Sequence, residues 1–396
     1  MSQPRTWLVA MLSIFVAACQ PAPVALSQQA YIWQRIWSPE HALALDESRG
    51  LLSGFRILAA QLHPREGLVE ARVDLDLLAH DRRPVIAVLR MDGELATLDA
   101  VAIAALLSRI INAWRAAGVN LVGVEIDYDC ATSRLADYAQ LLQALRGNLA
   151  NDLGLSITVL PTWMQSSSLP DVLRIVDHAV LQVHSVSSPE HGLFNPTNAR
   201  RWIAQFDALS PVPFWVALPS YGSSLIRDRQ GNLQVESERA LPIAGSRTEL
   251  SIDPEGMADF LRSLRSEKPN QLLGIVWFRL PLGTDHRGWS MTTLRAVIGG
   301  HALTSQIKLQ LRPGGSAGDL VVSNAGSLDA AMPEQITVQP ATCEAADALA
   351  GYSLRRDSEG LVFQRTENAT LRAGGERVIA WLRCDHPDAE TLHAEP

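Results

Sequence analysis

Hydrophobic and polar positions along this chain fall into blocks that switch repeatedly between a strand-like and a helix-like pattern. Short apolar runs rich in Val, Ile, Leu and Trp predict strands, and the longer amphipathic runs between them predict helices. We predict eight strands, at residues 31–37, 55–63, 84–92, 121–129, 155–163, 179–186, 213–221 and 272–280. The helices between them are predicted at residues 98–117, 134–149, 197–209, 253–266 and 289–298.

This order of elements predicts an α/β protein with a (β/α)8 TIM-type barrel over residues 31–301. Near-continuous apolar strands separated by helices are typical of a parallel sheet covered on both faces, and eight strand–helix units close such a barrel. A doubly wound open sheet is the alternative, but no glycine-rich phosphate turn follows the first strand. Residues 222–252 are much longer than a usual βα loop and contain a predicted hairpin, either a lid over the barrel mouth or a surface insertion.

From residue 302 the pattern changes to short alternating strands with Gly, Pro and Asn turns, which predicts a small β-sandwich-like domain over residues 302–396. Cys343 and Cys384 both lie in this segment and are the predicted disulfide pair, which leaves Cys130 as a buried free thiol. Spacing alone does not fix that connectivity.

The N-terminus predicts export. Arg5 precedes an apolar run that is shorter than the roughly 20 residues needed to span a bilayer, so residues 1–19 are typical of a secretory signal. The ending "VAAC" resembles the bacterial lipobox, which implies that Cys19 is lipidated and that residues 20–30 are a tether; an ordinary signal peptide containing a Cys is the alternative. The predicted location is the bacterial cell envelope, lipid-anchored, and Gln20 resembles the sorting rule for the outer membrane, facing the periplasm.

Composition limits the classes of binding partner that we expect. The formal net charge is -8 over 396 residues, which gives no basic footprint, so we do not expect nucleic acid as a partner. The balance of 47% hydrophobic and 19% charged residues is that of an ordinary globular protein. We predict no cofactor.

The stretch "GVEIDYDC" in the fourth predicted strand contains three carboxylates, Glu125, Asp127 and Asp129, at every second position. Alternation sends all of them to one face of the strand. Burying like charges together raises at least one pKa or requires a cation. An active site, a structural carboxylate–arginine network and a metal site are the alternatives. His63 or His184 could join a metal site, but no His–x–His spacing supports one.

Active sites of (β/α)8 barrels lie at the C-terminal ends of the strands. In the predicted strands these ends are rich in polar and aromatic residues. Besides the carboxylates, we predict that substrate is bound by His63, Asp92, Trp163, His184, Tyr221, Trp277 and Arg279.

"VGVEIDYD" resembles the chitinase-type motif Asp-Gly-x-Asp-x-Asp-x-Glu of glycoside hydrolase family 18. The match places Gly123 on the family's glycine, Glu125 on its inner Asp, Asp127 on its last Asp and Asp129 on its catalytic Glu. The resemblance implies that Asp129 is the general acid, that Asp127 orients the substrate's N-acetyl group and that Glu125 tunes the pKa. Val122 replaces the first Asp of the motif, and Asp129 is one methylene shorter than the family's Glu.

Trp277 matches the Trp that floors the sugar site in that family. Over most of the chain, and in "GVEIDYDC" and "LQVHS" in particular, the sequence also resembles the bacterial family called domain of unknown function 3142, a name that implies no reaction.

The sequence therefore predicts an exported glycoside-hydrolase-like protein that acts on a cell-envelope or extracellular polysaccharide. We expect Asp127 and Glu125 to raise the proton affinity of Asp129 by like-charge repulsion, because a general acid must hold its proton at neutral pH. A non-catalytic envelope lipoprotein that binds glycan or a protein partner is the alternative.

Overall fold

A computed structural model of the protein describes residues 26–186, 188–228, 230–236, 245–285, 287–314, 317–339, 343–356, 360–384 and 391–395. The strands of the first 300 residues are β1 (Ser27–Ile32), β2 (Gly54–His63), β3 (Gly67–Glu70), β4 (Val85–Met91), β5 (Leu121–Tyr128), β6 (Gly154–Val159), β7 (His178–Gln182), β8 (Phe214–Pro219), β9 (Ser223–Asp228), β10 (Leu233–Glu236), β11 (Gly245–Leu250) and β12 (Leu272–Phe278).

Eight of these strands form a closed parallel barrel in the order β1-β2-β4-β5-β6-β7-β8-β12, and pairing of β12 with β1 completes the circle. The short strand β3 pairs antiparallel with β2 outside the circle. The predicted (β/α)8 barrel is confirmed, and closure excludes the doubly wound open sheet.

Helices connect the barrel strands and cover the outside of the barrel. They are α1 (Pro39–Glu47), α2 (Leu75–Asp81), α3 (Ala100–Ala116), α4 (Leu135–Asn148), α5 (Leu169–Leu173), α6 (Pro196–Leu209), α7 (Pro254–Ser266) and α8 (Met291–Gly299). Local sequence fixes several of their starts: the side chains of Asp99 and Asp253 accept hydrogen bonds from the first backbone N–H groups of α3 and α7.

The barrel has two apolar layers. The larger lies between strands and helices and contains the outward-facing residues of the strands, such as Ile126 and Ile157. The smaller fills the barrel interior with aromatic and branched side chains, including Val88, Val180 and Trp215. Both strand faces are therefore buried, which explains the near-continuous hydrophobicity of the strands.

The barrel begins earlier than predicted. Residues 20–30 were expected to be a tether and residues 31–37 the first strand, but β1 occupies Ser27–Ile32. Its polar residues conceal it in the sequence, because Gln28 is buried with both ends of its amide bonded. Gln28 donates to the Leu26 carbonyl at 2.9 Å and accepts from Trp277 Nε1 at 2.8 Å.

The long segment after β8 contains a small antiparallel sheet with the order β10-β9-β11. The predicted hairpin is its β9–β10 pair, and β11 is a third strand on the other edge. We call β9–β11 the insertion.

The C-terminal domain is built from antiparallel strands, as predicted. They are β13 (Ile307–Gly314), β14 (Ala317–Asn324), β15 (Ala330–Ala331), β16 (Gln335–Val338), β17 (Cys343–Ala348), β18 (Tyr352–Arg356), β19 (Leu361–Arg365), β20 (Thr370–Leu371), β21 (Glu376–Cys384) and β22 (Leu392–Glu395). Two four-stranded sheets, β13-β14-β21-β17 and β18-β19-β16-β22, share one hydrophobic core. Cys343 and Cys384 form a disulfide between β17 and β21, and Cys130 is a buried free thiol.

The predicted signal sequence at residues 1–19, with Cys19 in it, lies outside the described residues, as do residues 20–25 of the predicted tether. In the part of the chain that the structure describes, no helix combines the length and apolar character required to cross a membrane.

Candidate active site

Strand β5 turns its carboxylates toward the barrel interior, as its alternation predicts. Ile126 and Tyr128 face the helices and lie in the outer apolar layer. Glu125 and Asp127 are buried on the opposite face, and Asp129 follows at the C-terminal mouth of the barrel, where it is partly exposed. The three groups therefore lie at successive depths along the barrel axis.

Glu125, the deepest of the three, is part of a closed polar network. Its carboxylate accepts hydrogen bonds from Arg56 and from the Tyr31 hydroxyl, the latter at 2.7 Å, and from Ser156 Oγ at 3.3 Å. The Arg56 and Glu125 side chains are both 0% exposed. Burial and the charge of Arg56 lower the pKa of His178 to about 4, so this neighbour of Arg56 is neutral. We call these five residues the lower network.

Asp127 and Asp129 share a different cation. Arg90 Nη2 donates to Asp129 Oδ2 at 3.1 Å, and Arg90 Nη1 lies 3.7 Å from Asp127 Oδ2. Thr158 Oγ1 donates to Asp127 Oδ1 at 2.6 Å. The Asp127 side chain is 5% exposed, whereas that of Asp129 is 33% exposed. Two carboxylates thus compete for one guanidinium, and only the outer one reaches solvent. We call these four residues the upper cluster.

Burial, followed by repulsion from Asp127, raises the pKa of Asp129 to about 7; Arg90 lowers it and Asp92 raises it further. Asp129 therefore holds a proton near neutral pH and can still release it, which is the property a general acid requires. Asp127 is the predicted source of repulsion. Glu125 was predicted to contribute as well, but the charges acting on Asp129 are Asp127, Arg90 and Asp92. Glu125 is not among them, so this part of the prediction is corrected; its carboxylate lies deeper and is bonded by Arg56 inside the lower network.

The backbone around Asp129 is held by close packing. A Cβ atom on Gly93 would lie 2.0 Å from the Asp129 carbonyl oxygen, so only glycine allows the loop after β4 to approach this closely. On the helix-facing side, Trp163 Nε1 donates a hydrogen bond to the Cys130 carbonyl oxygen at 3.0 Å. Burial raises the pKa of Cys130 to about 12, so this thiol remains protonated.

A cavity of about 260 Å³ opens above these carboxylates, and Asp127, Asp129 and Arg90 line it. We call it the mouth cavity. Its other wall is an aromatic cluster centred on Phe278, whose ring lies 5.2 Å from Trp33, 5.7 Å from Tyr31 and 5.3 Å from both Tyr221 and His184, between ring centroids. The mouth cavity thus combines a proton donor with an aromatic surface.

A neighbouring hollow of about 410 Å³ also includes Asp129 in its lining, together with Gln182 and Ser185, which line both spaces. We call it the outer hollow. The Asp129 carboxyl consequently stands at the boundary between two spaces, a deeper aromatic one and a shallower one that includes Trp202.

His184 and Tyr221 lie in the mouth cavity, where they were predicted to bind substrate. Burial lowers the pKa of His184 to about 3, so its imidazole is neutral over the working pH range. Its Nδ1 atom is buried without a hydrogen-bond partner. Burial raises the pKa of Tyr221, which keeps its hydroxyl as a hydrogen-bond donor and acceptor. Both side chains can hydrogen-bond but do not carry charge.

Trp163 and Trp277 do not lie in the mouth cavity, which corrects the expectation that they bind substrate. Both are 0% exposed and belong to the helix-facing layer. Trp277 packs against Trp289, with 5.9 Å between ring centroids. On β12 the inward position is taken by its neighbour Phe278. The sequence does not separate the two, because both faces of this strand are apolar.

The remaining predicted residues are at the periphery. Arg279 pairs with Asp285, Nη2 to Oδ2 at 2.8 Å, and lines a separate, larger cavity. His63 and Asp92 are partly exposed, with Nε2 and Oδ2 3.9 Å apart, and neither lines the mouth cavity. His63 Nδ1 accepts hydrogen bonds from the backbone of Arg65 and Glu66. These two residues lie close to each other but outside the lining of the mouth cavity, so the prediction that they bind substrate there is corrected.

Sequence reasoning missed several residues of the site. They are Tyr31, Trp33, Arg56, Thr158 and Phe278. Arg56 had a usable signal, since it is a charged residue in the apolar run of β2, the same feature that identified the carboxylates.

Among the described residues, no group of three or more His, Cys, Asp or Glu side chains is arranged to hold a metal ion. The chemistry that the site offers from its own side chains is proton donation by Asp129, charge stabilisation by Asp127 and apolar contact from aromatic rings.

The fold and the site together define a class of protein: a closed (β/α)8 barrel with inward-facing carboxylates on one strand and aromatic side chains at its C-terminal mouth. A family model described as Domain of unknown function (DUF3142) matches residues 81–283, just over half of the chain. The chain belongs to this family. A second model, Domain of unknown function (DUF8456), matches residues 307–385 in the C-terminal domain.

Several solved structures are similar to this chain. The spore cortex-lytic enzyme SleL of Bacillus cereus is 14% identical, with 70% of this chain and 75% of that one covered and a TM-score of 0.46. A chitinase from Chromobacterium violaceum is 14% identical, with 69% and 98% covered and a TM-score of 0.47. A chitinase from Bacteroides thetaiotaomicron is 11% identical, with 65% and 90% covered and a TM-score of 0.49.

No curated protein sequence matches the chain.

Proposed function

We propose that this protein is an exported glycoside-hydrolase-like enzyme that cleaves a cell-envelope or extracellular polysaccharide, with Asp129 as general acid. The proposal depends on one observation, the protonation behaviour and the position of the Asp129 carboxyl group. Asp129 has a pKa raised to about 7 and stands between the mouth cavity and the outer hollow. A proton donor at the boundary of two spaces is suited to a bond that joins a sugar on one side to a sugar on the other.

In the proposed reaction the protonated Asp129 donates its proton to the glycosidic oxygen while the bond from that oxygen to the anomeric carbon breaks. The acetamido oxygen of the substrate attacks the electron-poor anomeric carbon. Water then attacks that carbon, displaces the acetamido oxygen and returns a proton to the Asp129 carboxylate. Asp127 orients the attacking group and stabilises the positive charge. Thr158 supports that role by fixing one Asp127 oxygen with a 2.6 Å hydrogen bond. Proton donation of this kind contributes about 10²–10⁴-fold to a rate.

The aromatic cluster supports a sugar as the ligand. Trp33, Tyr31 and Phe278 give the mouth cavity an apolar wall opposite the carboxylates. Sugar rings present apolar C–H faces and polar edges, so an apolar wall facing neutral hydrogen-bonding groups such as His184 and Tyr221 suits them. Trp33 and Phe278 take the role that was predicted for Trp277 and Trp163.

We further propose that the protein is anchored in the bacterial outer membrane, facing the periplasm, through lipidated Cys19. The lipobox-like N-terminal sequence supports this proposal, and so does the Cys343–Cys384 disulfide, since disulfides persist in exported proteins. Metabolic labelling with a radioactive fatty acid, with Cys19→Ala as the unlabelled control, tests the anchor.

A second candidate, a non-catalytic glycan-binding protein on the same barrel, is favoured by one observation. Arg90 bonds Asp129 at 3.1 Å, as in a structural ion pair. The contact involves a single carboxylate oxygen, and the mouth cavity lies directly beside it.

The test uses the protein without residues 1–19 and a panel of glycans that includes chitin oligomers and peptidoglycan strands. Release of reducing ends by the wild type, and its loss in Asp129→Asn with binding retained, supports the enzyme. Glycan binding without turnover, unchanged in Asp129→Asn, supports the non-catalytic candidate instead.

A further inference from the structure

A larger cavity, of about 990 Å³, lies at the junction of the barrel, the insertion and the C-terminal domain. We call it the junction cavity. The end of β11 and the residues after it form one wall, residues 279–285 and 287–289 form another, and the C-terminal domain contributes Leu328, Asp329 and Thr370. Concave spaces of this size at domain junctions are frequent ligand sites.

The junction cavity and the mouth cavity are lined by neighbouring residues of the same two chain segments. Trp33 and Phe278 line the mouth cavity, and the residues that follow them in the chain, Gln34 and Arg279, line the junction cavity. The same two segments therefore form the shared edge of both spaces. A chain-like ligand with one bond at Asp129 can extend over this edge.

The arginine side chains in the wall of the junction cavity are paired with neighbouring carboxylates. Arg279 pairs with Asp285 at 2.8 Å, and Arg287 pairs with Glu249 at 3.1 Å and with Glu236 as well. These guanidinium groups are engaged by carboxylates of the wall, so the wall is not built to select an acidic ligand.

Asp329 adds a further carboxylate to the wall, and its Oδ1 accepts a hydrogen bond from the Ala373 backbone N–H at 2.8 Å. The remaining polar groups of the wall are neutral. Gln34 contributes an amide, and Ser251, Thr284 and Thr370 contribute hydroxyls, with the last three residues exposed. Neutral donors and acceptors spread over a wide surface match an uncharged, polyhydroxylated chain.

The C-terminal domain also holds the wall in place. Arg372 donates to three backbone carbonyls of the loop after β12: Leu282 at 3.2 Å, Gly288 at 2.9 Å, and Asp285. One side chain therefore fixes the loop that contains Asp285 and Arg287. A wall ordered in advance loses less conformational freedom when a ligand binds.

From this continuity and chemistry we infer that the junction cavity binds the distal sugar units of the polysaccharide whose glycosidic bond lies at Asp129, and that the C-terminal domain is part of the substrate site. This inference rests on the proposed function. It gives the β-domain a role in selecting long chains over short ones.

The test measures the Kd of β-1,4-linked N-acetylglucosamine oligomers of two and six units, and of peptidoglycan glycan strands of the same two lengths. Asp129→Asn serves as the background so that no turnover occurs. We expect the longer probe of at least one pair to bind about tenfold more tightly than the shorter. Thr370→Trp, at an exposed position, places a bulky indole in the junction cavity and should abolish that gain without changing the affinity for the shorter probe.

Asn368→Trp is the matched control, since this residue is exposed on the same domain and lines a different hollow. Equal affinity for both lengths, or a gain that persists in Thr370→Trp, overturns the inference and leaves the proposed function standing. A gain that is lost equally in Asn368→Trp also overturns it, because the effect is then not local to the cavity. Failure to bind any probe overturns the proposed function and the inference together.

Discussion

The lower network and the upper cluster contain carboxylates from one short segment of the chain, yet their surroundings are opposite. Glu125 belongs to the first, and Asp127 and Asp129, two and four residues further on, belong to the second. Glu125 is fully buried and bonded by Arg56, Tyr31 and Ser156. Asp129 is a third exposed and shares Arg90 with Asp127. In the lower network each charge has an opposite charge beside it, whereas in the upper cluster two acids face one base.

The comparison shows that a buried charge in a strand does not by itself mark an active site. A fully buried charge with an opposite charge beside it is out of reach of a ligand, and the fold is destabilised when one partner is removed. An under-compensated charge beside a cavity can exchange a proton with a ligand. The two groups should therefore respond to substitution in opposite ways, one in stability and the other in activity.

Asp129→Asn should have the largest effect on catalysis. We expect kcat/KM for polysaccharide hydrolysis to fall by about 10²–10⁴-fold, because the amide has no acidic proton to transfer to the leaving group. Initial rates of reducing-end release measure this loss. Asp171→Asn, at an exposed acid on α5 that pairs with nearby Arg174, is the control and should leave the rate unchanged.

The same variant should not be less stable at pH 8. The pKa of Asp129 in the folded protein, about 7, lies above the ordinary value for Asp. A raised pKa means that the stabilising contribution of the carboxyl is fully present below about pH 4 and is lost as the pH rises through 7. A thermal midpoint well below that of the wild type at pH 8 would show that Asp129 is structural, and would remove the contrast with Glu125.

Glu125→Gln should reverse this pattern. We expect the free energy of unfolding to fall by about 3–5 kcal/mol, because Arg56 keeps its charge in a buried site and loses its partner. Urea denaturation measures the loss, and the activity per folded molecule should remain near that of the wild type. The double variant Arg56→Met, Glu125→Gln should recover part of the stability, since it removes both charges. If Glu125→Gln folds normally and loses activity, Glu125 belongs to the catalytic machinery after all.

Tyr31→Phe tests whether the lower network and the mouth cavity act independently. The Tyr31 ring lines the mouth cavity, while its hydroxyl donates a hydrogen bond to Glu125. Losing one hydrogen bond to a charged group should cost about 1.5–3 kcal/mol of stability. The retained ring should leave kcat/KM unchanged. Tyr31→Leu removes the ring as well, so its KM should rise. A rate loss in Tyr31→Phe equal to that in Tyr31→Leu would mean that the lower network acts on the chemistry.

Much of this arrangement could be predicted because it depends on alternation. The period of two in β5 places Glu125, Asp127 and Asp129 on one face whatever the rest of the fold does. The eight apolar runs gave the barrel for the same reason, since each strand is bounded by turns and is too short to be a helix.

What could not be predicted depends on long-range pairing. Arg56 meets Glu125 only because β2 and β5 flank β4 in the closed sheet. Trp277 and Phe278 are both apolar, so hydrophobicity does not tell which of them faces the barrel interior. The protonation behaviour of each carboxylate depends on its charged partner and on its depth in the barrel, and the local sequence specifies neither of them.

Arg90→Gln should give the smallest effect and the most direct measure of the under-compensated charge. Arg90 lowers the pKa of Asp129, so its removal should raise that pKa and move the alkaline limb of the kcat/KM profile to higher pH. Arg90→Lys keeps the charge and should leave the limb near pH 7. Profiles normalised to their own maxima separate this shift from any general loss of rate. A limb that stays in place in Arg90→Gln, or moves to lower pH, would mean that the titrating group is not Asp129, and the upper cluster would then be another compensated network like the one beneath it.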